Sequence, residues 1–155
     1  MIDDELKELV QGWYRNKAKD EEEPFFKFMC LWICFNAWLE FESGESIDRS
    51  MINWIKSPRS DSSGLWAAYE AMLSTDTGTQ NIKNLIASCP IGGTRGPALD
   101  ISNTNDSDNI IEVLYRIRCN LFHGGKAEGN VRDIKLVTYA NGVLSKWMAE
   151  LIARW

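Results

Sequence analysis

The sequence predicts a single all-α domain, and three observations carry this prediction. Apolar residues recur every three or four positions in several segments, as they do in helices with one buried face. Residues typical of helix starts and stops, such as Asp3, Pro24 and Gly44, flank these segments. The chain has 155 residues, 45% of them hydrophobic and 25% charged, which is typical of one globular domain. We therefore predict one helical bundle over residues 1–155, with a long C-terminal helix and additional short helices.

The first two helices are predicted from caps and periodicity. Asp3 or Asp4 can cap a first helix that ends near the charged stretch 17–23. Pro24, which is tolerated in a first helical turn, opens a second helix that runs to about residue 42. This second helix is apolar nearly all round, so we expect it to be central to the core. Its inward candidates are Phe28, Leu31, Trp32, Phe35, Trp38 and Leu39.

Three shorter helices and a long loop are expected in the middle of the chain. The helices are predicted over about 46–56, 63–74 and 79–87, with Pro, Gly and Ser between them. Residues 89–108 are rich in Pro, Gly and small polar side chains and lack periodicity, which indicates a long surface loop.

Two further helices are predicted in the last third of the chain. One begins near Asp108 and must end or bend at Gly124-Gly125, which places His123 at a helix end. The other is a long amphipathic helix with apolar residues every three or four positions from 134 to 155. Asn141-Gly142 is also typical of a β-hairpin turn, so a pair of strands in this segment is the second interpretation.

The location of the protein is inferred from what the sequence lacks. Met1 to Glu5 do not form the positive start of a signal peptide, and the apolar stretch 25–41 is interrupted by polar residues and too short to cross a bilayer. The four cysteines follow neither a CxxC pattern nor a disulfide framework. We therefore expect a cytoplasmic protein with no membrane span, no metal and no other cofactor.

Charge is distributed unevenly along the chain. The net charge is −5, but residues 115–155 hold 7 basic and 3 acidic groups. This basic segment suits a local site for an anion, whereas the overall acidity argues against a protein that coats nucleic acid non-specifically. Scattered, solvated surface charge is the alternative interpretation.

The basic segment contains His123, the one histidine of the chain, whose imidazole is suited to proton transfer at neutral pH. Arg118 precedes it by five positions and Arg116 by seven. At about 100° per residue, an unbroken helix would put Arg116 and His123 on nearly one face and Arg118 about 140° away. These groups suit a phosphate ligand, although a helix-terminal histidine also commonly interacts only with the last carbonyls of its helix.

The run from Leu114 to Lys126 resembles the Arg-x(4 to 6)-His signature of the HEPN superfamily (higher eukaryotes and prokaryotes nucleotide-binding domains). The aromatic run 28–39 is similar to an early helix of uncharacterised bacterial and phage proteins that carry such a late segment. The two runs anchor most of the chain, and residues 43–108 add little. Family members often have a polar residue directly after the arginine, whereas this chain has Cys119 there and Asn120 one position later.

The resemblance implies a helical bundle that forms a homodimer in which two Arg/His pairs face each other. In many members it implies metal-independent RNA cleavage, and in others no catalysis. It makes Arg118 and His123 the expected catalytic residues, with Arg116 as an auxiliary phosphate ligand and Asn120 as a further candidate. Lys126 is a candidate contact for an RNA backbone, although most surface lysines contact only water.

The expected function is therefore an endoribonuclease, as a toxin or phage-defence effector restrained by an antitoxin protein. The alternatives are a non-catalytic RNA- or nucleotide-binding or dimerisation module, and a helical scaffold without a ligand.

Other candidate residues have a structural interpretation that the sequence favours. Asn36 is expected to be a hydrogen-bonded core residue. Cys30 and Cys34 share a helix face without further zinc ligands, and Cys119 is expected to be a buried, inert thiol. The glycine-rich run 92–96 is expected to be a flexible loop rather than a phosphate-binding turn.

Overall fold

The computed structural model describes residues 3–57, 64–92, 97–122 and 130–155. This part of the chain folds into α-helices with one isolated β-bridge, between Ile91 and Leu99, which confirms the all-α prediction. None of its helices is long and apolar enough to cross a membrane. The helices are α1 (Asp4–Trp13), α2 (Pro24–Ser43), α3 (Asp48–Lys56), α4 (Leu65–Leu73), α5 (Asp76–Ala87), α6 (Ser107–Phe122) and α7 (Val131–Ile152).

The start of α1 is capped as predicted, because Asp3 Oδ1 accepts a hydrogen bond from the Leu6 amide at 2.8 Å. After α1 the backbone continues through one π-helical turn, Tyr14–Ala18. The Tyr14 hydroxyl donates to the carbonyl of Ser145 in α7 at 3.4 Å. This contact ties the N-terminal segment to the C-terminal helix.

Helix α2 is the central helix of the core. Pro24 is its first residue, the Glu23 carboxylate caps it, and Gly44 with φ of 68° ends it. All six residues predicted to face inward are buried. One side of the helix is nevertheless exposed, with Phe26 48%, Met29 37% and Ile33 39% accessible.

The short helices differ from prediction mainly at their starts, and α5 shows why. It begins three residues before the expected Thr79, because Thr75 Oγ1 accepts from the Gly78 amide at 3.0 Å and caps the helix. A Cβ atom at Gly78 would lie 2.1 Å from the carbonyl oxygen of Met72. This glycine therefore permits a close approach between helices instead of marking a loop.

Helix α7 confirms the long C-terminal helix, and the β-hairpin interpretation is wrong. Asn141 is buried in the middle of α7, where its Nδ2 donates to the carbonyl of Pro24 at 2.8 Å. Gly142 faces α5, and a Cβ atom there would lie 2.8 Å from the side chain of Asn81. The Asn-Gly pair thus serves helix packing, which a local turn rule does not anticipate.

The connection between α5 and α6, which the sequence predicts to be a surface loop, is anchored to the core by two buried isoleucines. Ile91 and Ile101 are each only 2% exposed and belong to the core. The backbone of Ile91 exchanges two hydrogen bonds with Leu99, at 2.8 and 2.9 Å. The described parts of this connection therefore have a defined position beside α6.

Candidate functional site

Helix α6 carries three of the five predicted site residues, Arg116, Arg118 and Asn120. The other two, His123 and Lys126, lie outside the described residues, as do Gly124-Gly125. His123 follows Phe122, the last described residue of α6, directly in the sequence. The structure therefore describes the surroundings of Arg116, Arg118 and Asn120, and the Arg118/His123 pair stays a prediction.

Arg118 is held by an ion pair and an aromatic ring. Its Nη2 lies 2.7 Å from Oδ2 of Asp48, the first residue of α3. Its guanidinium carbon lies 4.7 Å from the centre of the Phe122 ring, within cation–π distance. The side chain is 24% exposed. The guanidinium is therefore oriented and still partly accessible.

The ion pair engages only part of the hydrogen-bonding capacity of Arg118. A guanidinium has five N–H donors, and the contact with Asp48 is made through Nη2. Nη1 has a long contact, 4.0 Å, with the sulfur of Cys119. Nε is buried and has no acceptor within ranges 3–57, 64–92, 97–122 and 130–155.

A second ionic cluster joins α3 to α6 beside this pair. Glu112 Oε1 accepts from Arg49 Nη1 at 2.5 Å and also from Lys56 Nζ. The Arg49 guanidinium lies 4.7 Å from the centre of the Tyr115 ring, and that ring is 6.3 Å from Trp32 of α2. The two clusters fix the orientation of α3 against α6, and with it the position of Asp48.

Opposite charges shift the pKa of Glu112. Burial alone would raise its pKa, but the hydrogen bonds and charges of Arg49 and Lys56 hold it below the ordinary value. Burial correspondingly opposes the charge of Arg49, while Glu112 raises the pKa of its guanidinium. The ionised form of Glu112 is therefore more stable, relative to its protonated form, in the folded than in the unfolded protein.

Glu112→Gln is expected to lower the free energy of unfolding by about 1–2 kcal/mol at pH 7. Because the pKa of Glu112 is lower in the folded than in the unfolded protein, its ionised form stabilises the fold at pH values above the unfolded pKa of about 4.3. This stabilisation is lost as the pH falls through the folded-state pKa. The difference between variant and wild type should therefore shrink below about pH 4, as measured by urea unfolding at pH 7 and pH 3.

The matched control is Glu70→Gln, since Glu70 is an exposed carboxylate on α4. We expect it to change the free energy of unfolding by less than about 0.5 kcal/mol at either pH. A loss in Glu112→Gln of the same size at both pH values would contradict an electrostatic role for Glu112.

Arg116 and Asn120 contact the connection between α5 and α6. Arg116 Nη1 lies 3.1 Å from the carbonyl oxygen of Pro97 and 3.4 Å from that of Ile91, and Asn120 Nδ2 donates to the carbonyl of Gly92 at 3.0 Å. Arg118 instead reaches α3. The structure therefore does not bring Arg116 and Arg118 together, and the phosphate-binding roles of Arg116 and Asn120 stay predictions.

The sequence did not identify the residues of α3 that complete this site. Asp48, Arg49 and Lys56 come from a segment whose partners on α6 are more than 50 positions away in the chain. Such pairs have no local sequence pattern. The sequence shows which residues of α3 are acidic or basic, but which partners they contact depends on tertiary packing.

The other candidate side chains, Cys34, Cys119 and Asn36, lie at least partly buried within the fold. Burial raises the pKa of the Cys34 thiol to about 12, so this group is inert at neutral pH. Cys119 is half-buried rather than buried, and Asn36 Oδ1 has no donor in the described ranges, unlike the hydrogen-bonded core asparagine expected. Within those ranges, no group of three or more His, Cys, Asp or Glu side chains could hold a metal ion.

Comparison with known proteins adds no further evidence, because no family model, curated protein or solved structure matches this chain significantly. Membership of the HEPN superfamily stays a prediction from the two sequence runs.

Proposed function

We propose that this protein is a HEPN-type, metal-independent endoribonuclease that acts as a homodimer. One observation carries the proposal: Arg118 is fixed by Asp48 and Phe122 at the end of α6, five positions before the histidine. A fixed cation and a group able to transfer protons are the minimum that cleavage of a phosphodiester requires.

The reaction needs two proton transfers and a stabilised phosphorane. A base removes the proton of the 2′-hydroxyl, the 2′-oxygen bonds to phosphorus, and the bond from phosphorus to the 5′-oxygen breaks. An acid then protonates the departing 5′-oxygen, which leaves a 2′,3′-cyclic phosphate and a 5′-hydroxyl. We assign these transfers to His123, with Arg118 stabilising the charge on the phosphorane.

A preoriented arginine is more effective in this role than a mobile one. Ordering a flexible, solvated guanidinium costs side-chain entropy. Asp48 and Phe122 already order Arg118 in the folded protein, so this cost does not arise again when the substrate binds. More of the interaction energy between the guanidinium and the phosphorane is then available to stabilise the transition state.

The homodimer follows from the chemistry, since one histidine does not easily act as base and acid together. A twofold axis brings a second His123 and a second Arg118 to the same phosphate. Exposed apolar side chains beside the ion pair support an interface there. Phe122, which is stacked on Arg118, is 47% exposed, and Ile47, which directly precedes Asp48, is 65% exposed.

A ribonuclease of this kind would act in the cytoplasm as a toxin or phage-defence effector, and an antitoxin protein would hold it in check. Uncontrolled RNA cleavage harms the cell that makes the enzyme.

A non-catalytic RNA- or nucleotide-binding module is the second candidate, and the Asp48 ion pair favours it. The carboxylate 2.7 Å from Arg118 neutralises part of the charge that a transition state would use. An arginine in such a pair is suited to holding a phosphate weakly without promoting its cleavage.

The test is incubation of end-labelled single-stranded RNA with the purified protein in EDTA. We expect cleavage that leaves 2′,3′-cyclic phosphate and 5′-hydroxyl ends, with a dimer in solution on the same samples. RNA binding without cleavage would support the second candidate, and neither binding nor cleavage would contradict both.

A further inference from the structure

A groove of about 450 Å³ lies between the end of α5 and the start of α7, outside the site described above. We call it the α5–α7 groove. Its lining combines the polar and cationic side chains of Ser88, Arg132, Lys135 and Tyr139 with Cys89 and the apolar residues Ala87, Val131 and Leu136. Arg132 and Lys135 are exposed and three positions apart on α7, so they lie on neighbouring parts of one helix face.

The charged side chains among the described lining residues of this groove, Arg132 and Lys135, are both cations. None of its described lining residues is acidic, and it is open at the N-terminal end of α7, a helix of 22 residues. The N-terminus of a long helix carries a partial positive charge that adds to the two side-chain cations, and the carboxylate of Asp133 in the first turn of α7 offsets part of it. The surroundings therefore suit an anion.

The thiol that lines the groove does not oppose an anion. Burial and, secondarily, the charge of Asp100 raise the pKa of Cys89 to about 11. Cys89 is therefore neutral at physiological pH and adds no negative charge to the lining.

The groove is connected to the face of α6 that carries the predicted phosphate ligands. Arg132 Nη2 lies 3.5 Å from the carbonyl oxygen of Pro90, and the next two carbonyls of the same segment accept from Arg116 and Asn120. The segment 90–92 thus accepts hydrogen bonds from donors on both α6 and α7.

A larger groove elsewhere gives no comparable preference. It has about 610 Å³ and lies between the start of α2 and the middle of α7. Glu21 and Glu22 line it together with Lys27 and Lys146, so both signs of charge are present. Of these two grooves, the α5–α7 groove is the one whose described charged lining residues are of a single sign.

We infer that the α5–α7 groove binds phosphate groups of a single-stranded RNA backbone, with Arg132 and Lys135 as the ligands and Tyr139 as a stacking surface for a base. This inference rests on the proposed function, because it takes the RNA substrate of that function as the ligand of the groove. Arginine and lysine contribute through charge, whereas a tyrosine ring stacks on any base.

The test measures binding of a fluorescent single-stranded 2′-O-methyl RNA oligonucleotide, which has no 2′-hydroxyl and cannot be cleaved by the proposed reaction. Arg132→Gln combined with Lys135→Gln should weaken binding about tenfold near 0.1 M salt. The slope of log affinity against log salt should also fall by about 1.4, because each phosphate contact in a single strand contributes about 0.7.

Arg15→Gln is the matched control, since Arg15 is an exposed arginine on the π-helical turn after α1. It should leave both affinity and slope unchanged. Circular dichroism of each variant checks that the fold is retained, and Tyr139→Leu should weaken binding without changing the slope.

Competition against the labelled probe shows whether the groove prefers the phosphates of an RNA strand to those of a mononucleotide or of free inorganic phosphate. We expect an unlabelled oligonucleotide to displace the probe at far lower concentration than a mononucleotide or inorganic phosphate. Equal displacement by inorganic phosphate would overturn the RNA assignment, and so would unchanged affinity and slope in the double variant. Failure of the proposed function has a different result: normal, variant-sensitive binding of the 2′-O-methyl probe with no cleavage of ordinary RNA.

Discussion

Arg118→Ala and His123→Ala are each expected to lower the rate of RNA cleavage by about 10²–10⁴-fold. The histidine variant loses the group that transfers protons, and the arginine variant loses the cation that stabilises the phosphorane. Initial rates on labelled RNA in EDTA measure both effects. Equal activity in wild type and both variants would point to a contaminating nuclease.

Asp48→Asn separates orientation from charge at Arg118. Arg118→Ala also leaves the Asp48 carboxylate without its partner 2.7 Å away, so part of any loss could reflect altered folding. Asp48→Asn removes the ion pair and keeps the guanidinium. We expect its cleavage rate to lie between those of wild type and Arg118→Ala, with Asp48→Glu restoring part of the loss.

Subunit mixing tests the composite site directly. If one active site needs both copies of His123, equal amounts of wild type and His123→Ala, co-refolded so that subunits exchange, should give about a quarter of the wild-type activity at the same total concentration. Independent monomeric sites would give about half. A value of half would therefore contradict the twofold arrangement.

The helices were predictable because their information is local. The Asp3 cap, Pro24 at the start of α2 and Gly44 at its end each act through the backbone of their own helix. Buried positions every three or four residues also follow from helix geometry alone. These features do not depend on which helix packs against which.

What the sequence missed depends on tertiary contacts. Gly78 and Gly142 suggest breaks in helices, yet each permits a neighbouring helix to approach closely. The candidate site shows the same limit. Arg118 was identified from its own segment, whereas Asp48 became part of the site only because α3 packs on α6. No periodicity encodes that pairing.

The second large effect is expected in the core at Trp147 of α7. This side chain is 1% exposed, and its Nε1 donates to the carbonyl of Leu65 at 2.9 Å. Its ring centre lies 6.2 Å from that of Phe35, 5.6 Å from that of Trp66 and 5.0 Å from that of Tyr69. Trp147 therefore joins α2, α4 and α7 in one aromatic cluster.

Trp147→Ala is expected to lower the free energy of unfolding by about 3–5 kcal/mol, because it removes a fully buried ring and leaves a cavity among three other aromatic side chains. Urea unfolding followed by circular dichroism measures this loss. In a domain whose total stability is about 5–15 kcal/mol, the variant should unfold at a much lower urea concentration.

Two further variants separate the contributions of Trp147. Trp147→Phe keeps most of the packing but leaves the Leu65 carbonyl without its donor, so we expect a smaller loss, about 1–3 kcal/mol. Trp13→Ala removes a tryptophan of α1 that is only partly buried against the core, and its loss should also be smaller than that of Trp147→Ala. Equal losses in Trp13→Ala and Trp147→Ala would contradict a core centred on Trp147.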